Sequence, residues 1–335
     1  MFKVSFVIPL YNCLELTKAC LESLQATIPR GLEHEIVLVD DGSTDGTREW
    51  LRSLSSPAVS LPAVSLSNPS NPSNGLATLK PPVRVLLNET NLGYAVSNNR
   101  GARAATGDIL GLLNNDLVLL PGWLPPMLEI FRFGRRPGFV GNIQLNIKGG
   151  AVDHSGIFID MNGKPAHCGP PAGIARFRRF RSVVAVTGAC AFTRRDTFLQ
   201  LGGFDEKFLN GGEDIDFCLR ARAAGLRNWV ALGSSVLHHI SSSPGRREHD
   251  EKNSRRLAAR WRAELVREGA RTWCRRFFEE TWPEPREMDP QLTMHALLAA
   301  LHIAHKPPQQ SLWIAERAMR AEELRWQEMF GPAGA

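Results

Sequence analysis

Four short stretches bring together residue types that can do chemistry. The first is VDDGSTDGT, Val39 to Thr47, where an apolar run ends in two carboxylates followed by a turn rich in Gly, Ser and Thr. An acid at such a place accepts hydrogen bonds from a nucleobase N–H or a ribose hydroxyl, or it caps the helix that follows. Capping is expected of Asp45 and ligand binding of Asp41. The second is LLNNDLVL, Leu112 to Leu119, in which Asn114, Asn115 and Asp116 sit between two apolar runs. Polar groups buried there without partners would be costly. A hard divalent cation bridging to phosphate oxygens satisfies them, because Mg²⁺ or Mn²⁺ takes oxygen ligands and needs few carboxylates when phosphates contribute. A turn with Asn at its corners is the plainer alternative. In the third stretch, Glu213, Asp214 and Asp216 open a helix after a double glycine. Acids in a first helical turn complement the macrodipole, yet crowded acids also repel one another, which can raise one pKa toward the range of a general base. The fourth is the pair His238-His239. Adjacent residues of an extended segment point to opposite faces, so at most one of the two serves as a ligand.

The elements that must hold these residues follow a βαβ rhythm, which predicts a parallel sheet. Apolar runs at 4–9, 36–39, 83–87 and 108–113 read as buried strands, and the segments 13–26, 44–54 and 95–105 read as helices. Residues 53–82 break the rhythm: they hold six prolines and eight serines with Lys80 as the sole charge, so they cannot present a buried face. They read as a low-complexity surface insertion. Beyond Gly134 come glycine-punctuated β-like segments at 139–146, 156–160 and 183–187, then a helix at 214–224. After Ser243 the pattern becomes helical at 250–278, 291–302 and 311–329. Tryptophans 261, 273, 282, 313 and 326 fall in this last part and are expected to pack it.

At 335 residues the chain has room for two domains. With 43% apolar and 22% charged residues it matches an ordinary globular mix, which excludes collagen-like, coiled-coil and disordered classes. No run approaches the roughly 18 apolar residues of a spanning helix, and the N-terminal segment reads as a strand, not a signal peptide. The six cysteines form no CxxC pair, so reduced thiols in a cytoplasmic protein are expected. The net charge of +6 is local: six arginines and no acid lie between Ile174 and Arg195, and eleven Lys or Arg face five acids between Gly245 and Phe278. That suits an anionic partner such as a nucleotide diphosphate, a polyprenyl phosphate or a membrane surface. No recognition motif accompanies the charge, so nucleic acid is not expected.

Taken together, the four stretches resemble the family 2 glycosyltransferases, inverting nucleotide-sugar enzymes with a GT-A fold. The match runs in the family's order from Val4 to Ser243, and NLGYAVSNNRGARAATGDILGLLNND, TGACAFTRRDTFLQLGGFDEKF and GGEDIDFCLRARAAG look most like the rhamnosyltransferase-like branch of surface polysaccharide synthesis. The resemblance implies an α/β fold, a Rossmann-like nucleotide-binding mixed sheet flanked by helices, over 1–243, followed by a helical region over 244–335. It implies that Pro9, Tyr11, Asn12 and Asp41 line the base and ribose pocket. Asn91, Gly93, Asn99, Gly101 and Asn115 would then surround the nucleotide. Asn114-Asn115-Asp116 stands at the Asp-x-Asp motif, with Asn114 replacing the first acid, so Asp116 becomes the sure carboxylate ligand of Mn²⁺ or Mg²⁺ and His238 completes the shell. Asp214 matches the catalytic base, with Glu213 beside it. Leu92 stands where many members carry a lysine.

The implied donor is a dTDP-, UDP- or GDP-sugar, and the implied acceptor a glycan or lipid-linked glycan. Residues 149–173, with His154 and His167, would shape the acceptor side. The arginine-rich start of the C-terminal region suits either peripheral contact with the inner membrane face or a homodimer interface. Two other classes compete. A sugar-phosphate nucleotidyltransferase would carry a glycine-rich basic loop after its first strand, where this chain reads PLYNCLEL. A non-catalytic nucleotide-sugar or glycan-binding module would lack Asp214 or the Asn-Asn-Asp turn.

Overall fold

The computed structural model describes residues 2–55, 83–132, 136–171, 178–239, 249–281 and 289–331. The expected insertion falls almost wholly outside them. Contacts divide the chain into two units, Met1–Gly156 with Gly169–Pro244, and Ile157–Cys168 with Gly245–Ala335.

The first unit is built on a mixed sheet. Its parallel half consists of β1 (Val4–Leu10), β2 (His34–Asp41), β3 (Val83–Asn88) and β4 (Ile109–Leu113), joined by α1 (Leu14–Thr27), α2 (Thr47–Ser55) and α3 (Tyr94–Ala104). The strands lie in the order β3-β2-β1-β4 and all four run parallel. β1, β2 and β4 are buried along almost their whole length, as continuous apolar runs covered on both faces should be. The chain therefore reverses its direction of growth between β1 and β4. The crevice beyond the carboxyl ends of those strands is where open α/β sheets bind ligands.

The sheet continues with β5 (Leu117–Leu119), α4 (Leu124–Arg132), β6 (Pro137–Asn146), β7 (Val152–His154), β10 (Phe180–Val183), β11 (Cys190–Arg194), α5 (Arg195–Gln200), α6 (Glu213–Ala223) and β12 (Arg227–His238). Here β11 inserts antiparallel between β4 and β6, and β12 lies parallel to β6 and antiparallel to β5. The segment expected as a strand at 183–187 ends at Val183, and β11, α5 and β12 were not marked by the apolar pattern. β12 hides because Gly233, Ser234 and Ser235 interrupt it, at a register shift between Ala231 and Ser235.

Packing in this unit depends on close approach. A Cβ on Gly101 would stand 2.3 Å from Val7 Cγ1 and 3.1 Å from Val39 Cγ2, so only glycine lets α3 lie this near β1 and β2. Behind α5 and α6, Phe139, Phe198, Phe204 and Phe217 form an aromatic cluster, with Phe139 and Phe217 centroids 4.4 Å apart.

The second unit contains the hairpin β8 (Ile157–Ile159) and β9 (Pro165–His167), then α7 (Asp250–Thr281), α8 (Pro290–Ala300) and α9 (Gln309–Phe330). The hairpin was expected inside the first domain. It belongs here because Thr272 Oγ1 donates to Ile159 O at 2.6 Å and Gly269 lets α7 approach Asp160 O. Glu251 is a hub: Trp326 Nε1 donates to it at 2.7 Å, Lys164 Nζ at 3.1 Å, and Arg325 joins the pair. Trp326 is thus a packing residue, as is Trp273, stacked on Phe277 at 5.1 Å; Trp282 lies outside the described residues. Three arginines of α7 turn inward. Arg262 pairs with Glu316 and Glu323 on α9, Arg271 donates to Ala299 O and His305 O, and Arg255 to Gly331 O. These three are thereby engaged within the unit, while Lys252, Arg256, Arg260 and Arg276 are exposed. No described helix is long and apolar enough to cross a membrane.

Two outcomes follow. Gly101→Ala should destabilise the chain by about 1–3 kcal/mol through overpacking, read from urea unfolding; an unchanged midpoint contradicts the packing described. Burial alone would raise the Glu251 carboxyl, but its bonds to Trp326, Arg325 and Lys164 outweigh that and hold it at about 2. A depressed folded-state pKa means that its stabilisation is complete above the ordinary carboxylate range, near 4.3, and fades as pH falls from there toward 2. Unfolding monitored at Trp326 should weaken over that interval, and Glu251→Gln should flatten the response.

Candidate active site

The site is assembled at the carboxyl ends of β1, β2 and β4. After β1 the chain passes through Tyr11, which is 48% exposed, and then reverses at Asn12 and Cys13, with φ of 55° and 60°. Two non-glycine residues in the left-handed region need support, and the neighbouring turn provides it. Asn12 N donates to Ser43 Oγ at 2.8 Å, and Asn12 Oδ1 accepts from Thr44 N at 2.8 Å. Asp45 takes Leu14 N at 3.0 Å and Thr47 N at 3.1 Å, so it caps both α1 and α2. Burial would raise its carboxyl, but the Thr47 hydroxyl and these amides outweigh that and hold it below the usual range.

Asp40 and Asp41 end β2, both buried. Asp40 pairs with Arg48 Nε at 3.0 Å, while Arg48 also reaches Asn88 O. Asp41 faces the other way, and its Oδ1 accepts from Asn88 Nδ2 at 2.7 Å and Leu92 N at 2.9 Å, its Oδ2 from Gly93 N at 2.9 Å. Asn91 Oδ1 accepts from the same Gly93 N at 3.0 Å. The loop 90–93 is so tightly folded onto β2 that a Cβ on Gly42 would stand 2.6 Å from Thr90 C.

Beyond β4, Asn114 N donates to Ala189 O at 2.8 Å. Asn114 Oδ1 is buried and makes no hydrogen bond, and neither do the ring nitrogens of His238. The β5–β12 pairing sets His238 opposite Leu117 and brings its Nε2 to 3.3 Å from Asp116 Oδ1. The backbone N–H of His239 donates to Asp116 O. Burial, with Asp116 adding to it, pushes the nearby Cys20 thiol up to about 12, so it stays neutral; all six cysteines are free. Among the described residues no group of three or more His, Cys, Asp or Glu is arranged to hold a metal. Asp116, His238 and the unbonded Asn114 oxygen still make a donor set that fits a hard cation whose remaining ligands are phosphate oxygens.

The three acids of α6 part company. Glu213 Oε2 accepts from Gly211 N at 2.8 Å, and Asp216 is fully buried against Arg220 at 2.7 Å. Asp214 remains half-buried at the helix start, its Oδ2 accepting from Gly188 N and its Oδ1 from Ile215 N, both at 2.8 Å. Gly188 in turn accepts at its carbonyl from Tyr94 Oη at 2.8 Å. Burial pushes the Tyr94 phenol well above its ordinary value, and Glu213, Asp214 and Asp116 add to the shift, so it stays a donor. Tyr94 and Gly188 were missed as site residues; the signal available was that Tyr11 and Tyr94, the chain's two tyrosines, both lie in the motifs.

Four residues expected around the nucleotide are also tied into the frame. Asn99 Oδ1 accepts from Phe204 N at 2.8 Å while its Nδ2 donates to Phe204 O and Glu206, which occupies the amide in clamping that loop. Gly101 is the helix-packing glycine described above. The Asn12 side chain holds Thr44, and Asn115 Nδ2 donates to Thr17 Oγ1 at 2.9 Å. His154, expected on the acceptor side, is fully buried in β7, and residues 157–168 lie in the second unit. Pro9, Tyr11, Asp41, Asn91, Gly93, Asn114, Asp116 and His238 remain around the strand ends.

The sequence profile described as Glycosyl transferase family 2 matches residues 5–202, so the chain belongs to that family. It is 30% identical over 263 residues to the uncharacterized protein y4gI of Sinorhizobium fredii, covering 75% of this chain and 26% of that protein. It is 37% identical over 162 residues to the O-antigen biosynthesis protein RfbC of Myxococcus xanthus, covering 45% and 12%. The chain thus spans only about a quarter or less of these two relatives. With the N-acetylglucosaminyl-diphospho-decaprenol L-rhamnosyltransferase of Mycobacterium tuberculosis it shares 27% identity over 68% of this chain and 74% of that enzyme. The GT-A fold is shared with GalNAc-T7, solved with UDP, GalNAc and Mn²⁺, at a TM-score of 0.59 and 18% identity over 98% and 57% of the two chains. It is also shared with the mannosyltransferase PcManGT of Pyrobaculum calidifontis, solved with GDP-Man and Mn²⁺, at 0.54 and 16% over 98% and 87%.

Tyr94→Phe removes one hydrogen bond, worth about 1 kcal/mol, from the turn that presents Gly188 N–H to Asp214. Amide hydrogen exchange at Gly188 should speed up about five-fold while β1 keeps its protection. Unchanged exchange contradicts the linkage.

Proposed function

We propose that this chain is an inverting glycosyltransferase, moving a sugar from a nucleotide-diphosphate donor to a hydroxyl of a glycan or lipid-linked glycan in surface polysaccharide synthesis. The observation that carries the reading is the placing of Asp214. It is a half-buried carboxylate at a helix start, fixed by the Gly188 amide, in the same unit whose strand ends hold Asp116, His238 and Asn114. The names of the O-antigen protein and the rhamnosyltransferase support the substrate class, and the UDP, GDP-Man and Mn²⁺ of the solved neighbours support the donor and the cation.

The residues divide the work. Tyr11, half-exposed just past the end of β1, offers its ring as a platform for the base, with Pro9 two residues before it in the strand. Asp41 Oδ2 accepts one backbone N–H and keeps a lone pair for a donor N–H or hydroxyl of the nucleoside, and Asn91 and Gly93 shape the rim. A divalent cation, Mn²⁺ or Mg²⁺, held by Asp116, His238 and Asn114 would neutralise the diphosphate as it leaves. Asp214, half-buried at the helix start and oriented by the amides of Gly188 and Ile215, takes the proton of the attacking acceptor hydroxyl. Glu213 braces the glycine turn before the helix. Attack opposite the leaving group in a single displacement inverts the anomeric carbon.

Nucleotide release from a panel of UDP-, GDP- and dTDP-sugars with Mn²⁺ identifies the donor. With it, Asp214→Asn should lower turnover by about 10²–10⁴-fold at nearly unchanged donor affinity, and wild-type turnover in that variant would sink the assignment. Asp116→Ala should instead weaken donor binding in calorimetry with Mn²⁺ and change it little without the metal.

A further inference from the structure

The carboxyl end of β6 carries a polar side chain that the core around it does not need. Side chains alternate along a strand, and the face of β6 that holds Val140 belongs to the main apolar core, with Cys190 of β11, Val236 of β12 and Leu117 and Leu119 of β5. Gln144 lies on that same face and is 1% exposed. Its Nε2 makes no hydrogen bond. A buried amide nitrogen left without a partner lowers stability, and an apolar side chain there would not. Residues that work against the fold in this way collect at functional sites.

The strand register shows which site is close. β12 pairs with β6 so that Val236 stands opposite Gln144 and His238 opposite Asn146. Residues two apart on a strand share a face, so His238 and Gln144 are diagonal neighbours on it. Strands about 4.8 Å apart, with a rise of about 3.3 Å per residue, put such Cα atoms about 8 Å apart. An imidazole and a glutamine reaching toward each other close that gap, directly or through one water. His238 is itself buried, and neither of its ring nitrogens makes a hydrogen bond. Its Nε2 faces Asp116 Oδ1 at 3.3 Å, which leaves Nδ1 for another group. The residue directly opposite is engaged elsewhere, because Asn146 Oδ1 accepts from Lys148 N at 2.9 Å. On the other flank of His238 stands Leu117, which has no polar side chain to offer. Asn142, one step further back along β6, gives its amide nitrogen to Ser234 Oγ at 3.3 Å.

We propose that Gln144 is a positioning residue for His238, its amide taking the ring nitrogen turned away from Asp116. The inference rests on the reading of Asp116, His238 and Asn114 as donors to a cation. A histidine that gives one nitrogen to a cation donates the N–H of the other to an acceptor, which fixes the tautomer and the direction of the ring. Gln144 Oε1 is that acceptor. Adjacent strands then supply both parts: β12 carries the ligand and β6 the group that aims it.

The test is titration of the full chain with Mn²⁺ in the presence of UDP, GDP and dTDP in turn, with the free ion read by electron paramagnetic resonance. Gln144→Leu, and Gln144→Met with its closer shape, should weaken Mn²⁺ binding by about ten-fold or more. Their urea midpoints without metal should equal or exceed that of the wild type. In a His238→Ala background, Gln144→Leu should change the affinity by less than about two-fold, because the ring it acts on is gone. Wild-type affinity in both variants overturns the proposal, and so does a midpoint that falls along with the affinity. An undiminished loss in the His238→Ala background overturns it equally. These three results leave the cation reading in place. A wild type that takes up no Mn²⁺ with any of the three diphosphates overturns the cation reading and this inference together.

Discussion

Two adjacent carboxylates at the end of a buried strand organise this molecule. Charge placed at the edge of an apolar sheet must be met by donors or it destabilises the fold. Asp40 and Asp41 point to opposite faces, so each recruits a different set. Asp40 takes Arg48 and the amide of Ser43, fastening the turn into α2. Asp41 takes the side chain of Asn88 and two successive amides of the next loop, fixing where α3 begins. The loops that frame the crevice are held where they are because these two charges require partners.

From that anchor the constraint extends across the site. α3 begins with Tyr94, whose hydroxyl holds the carbonyl of Gly188, while the Gly188 amide holds Asp214. The next carbonyl, that of Ala189, receives the amide of Asn114 at the end of β4. One short turn before β11 therefore joins three things: the helix that Asp41 positions, the strand end that carries Asp116, and the carboxylate assigned as base. Few of these links are strong alone, at about 1 kcal/mol each, but they share partners and so act together. The residues at these strand ends and at the start of α6 are held in register by backbone as much as by side chains.

Much of this was legible in the sequence, for a physical reason. Parallel strands buried on both faces read as apolar runs, and functional residues must follow their carboxyl ends, so VDDGSTDGT and LLNNDLVL located the crevice. The roles of individual amides and glycines were less legible. Asn12, Asn99 and Asn115 have the chemistry to bind a nucleotide, but amides serve equally well as braces, and which role holds depends on neighbours as distant in sequence as Phe204 and Thr17. Gly101 gives no sign in sequence that Val7 lies against it. Arg262 of α7 likewise reads as part of a cationic face until Glu316 and Glu323, some fifty to sixty residues on, are seen beside it. β12, interrupted by glycine and serines, could not be read as a long strand, yet it is the strand that carries His238 to Asp116.

The central claim is that Asp214 deprotonates the acceptor while the nucleotide diphosphate leaves from the opposite side in one step. The stereochemical course tests it most directly: the anomeric configuration of freshly formed product, read by proton NMR against that of the donor sugar. Inversion is the predicted result. A product that retains the donor's configuration would require a second displacement or a front-face path and would contradict the account.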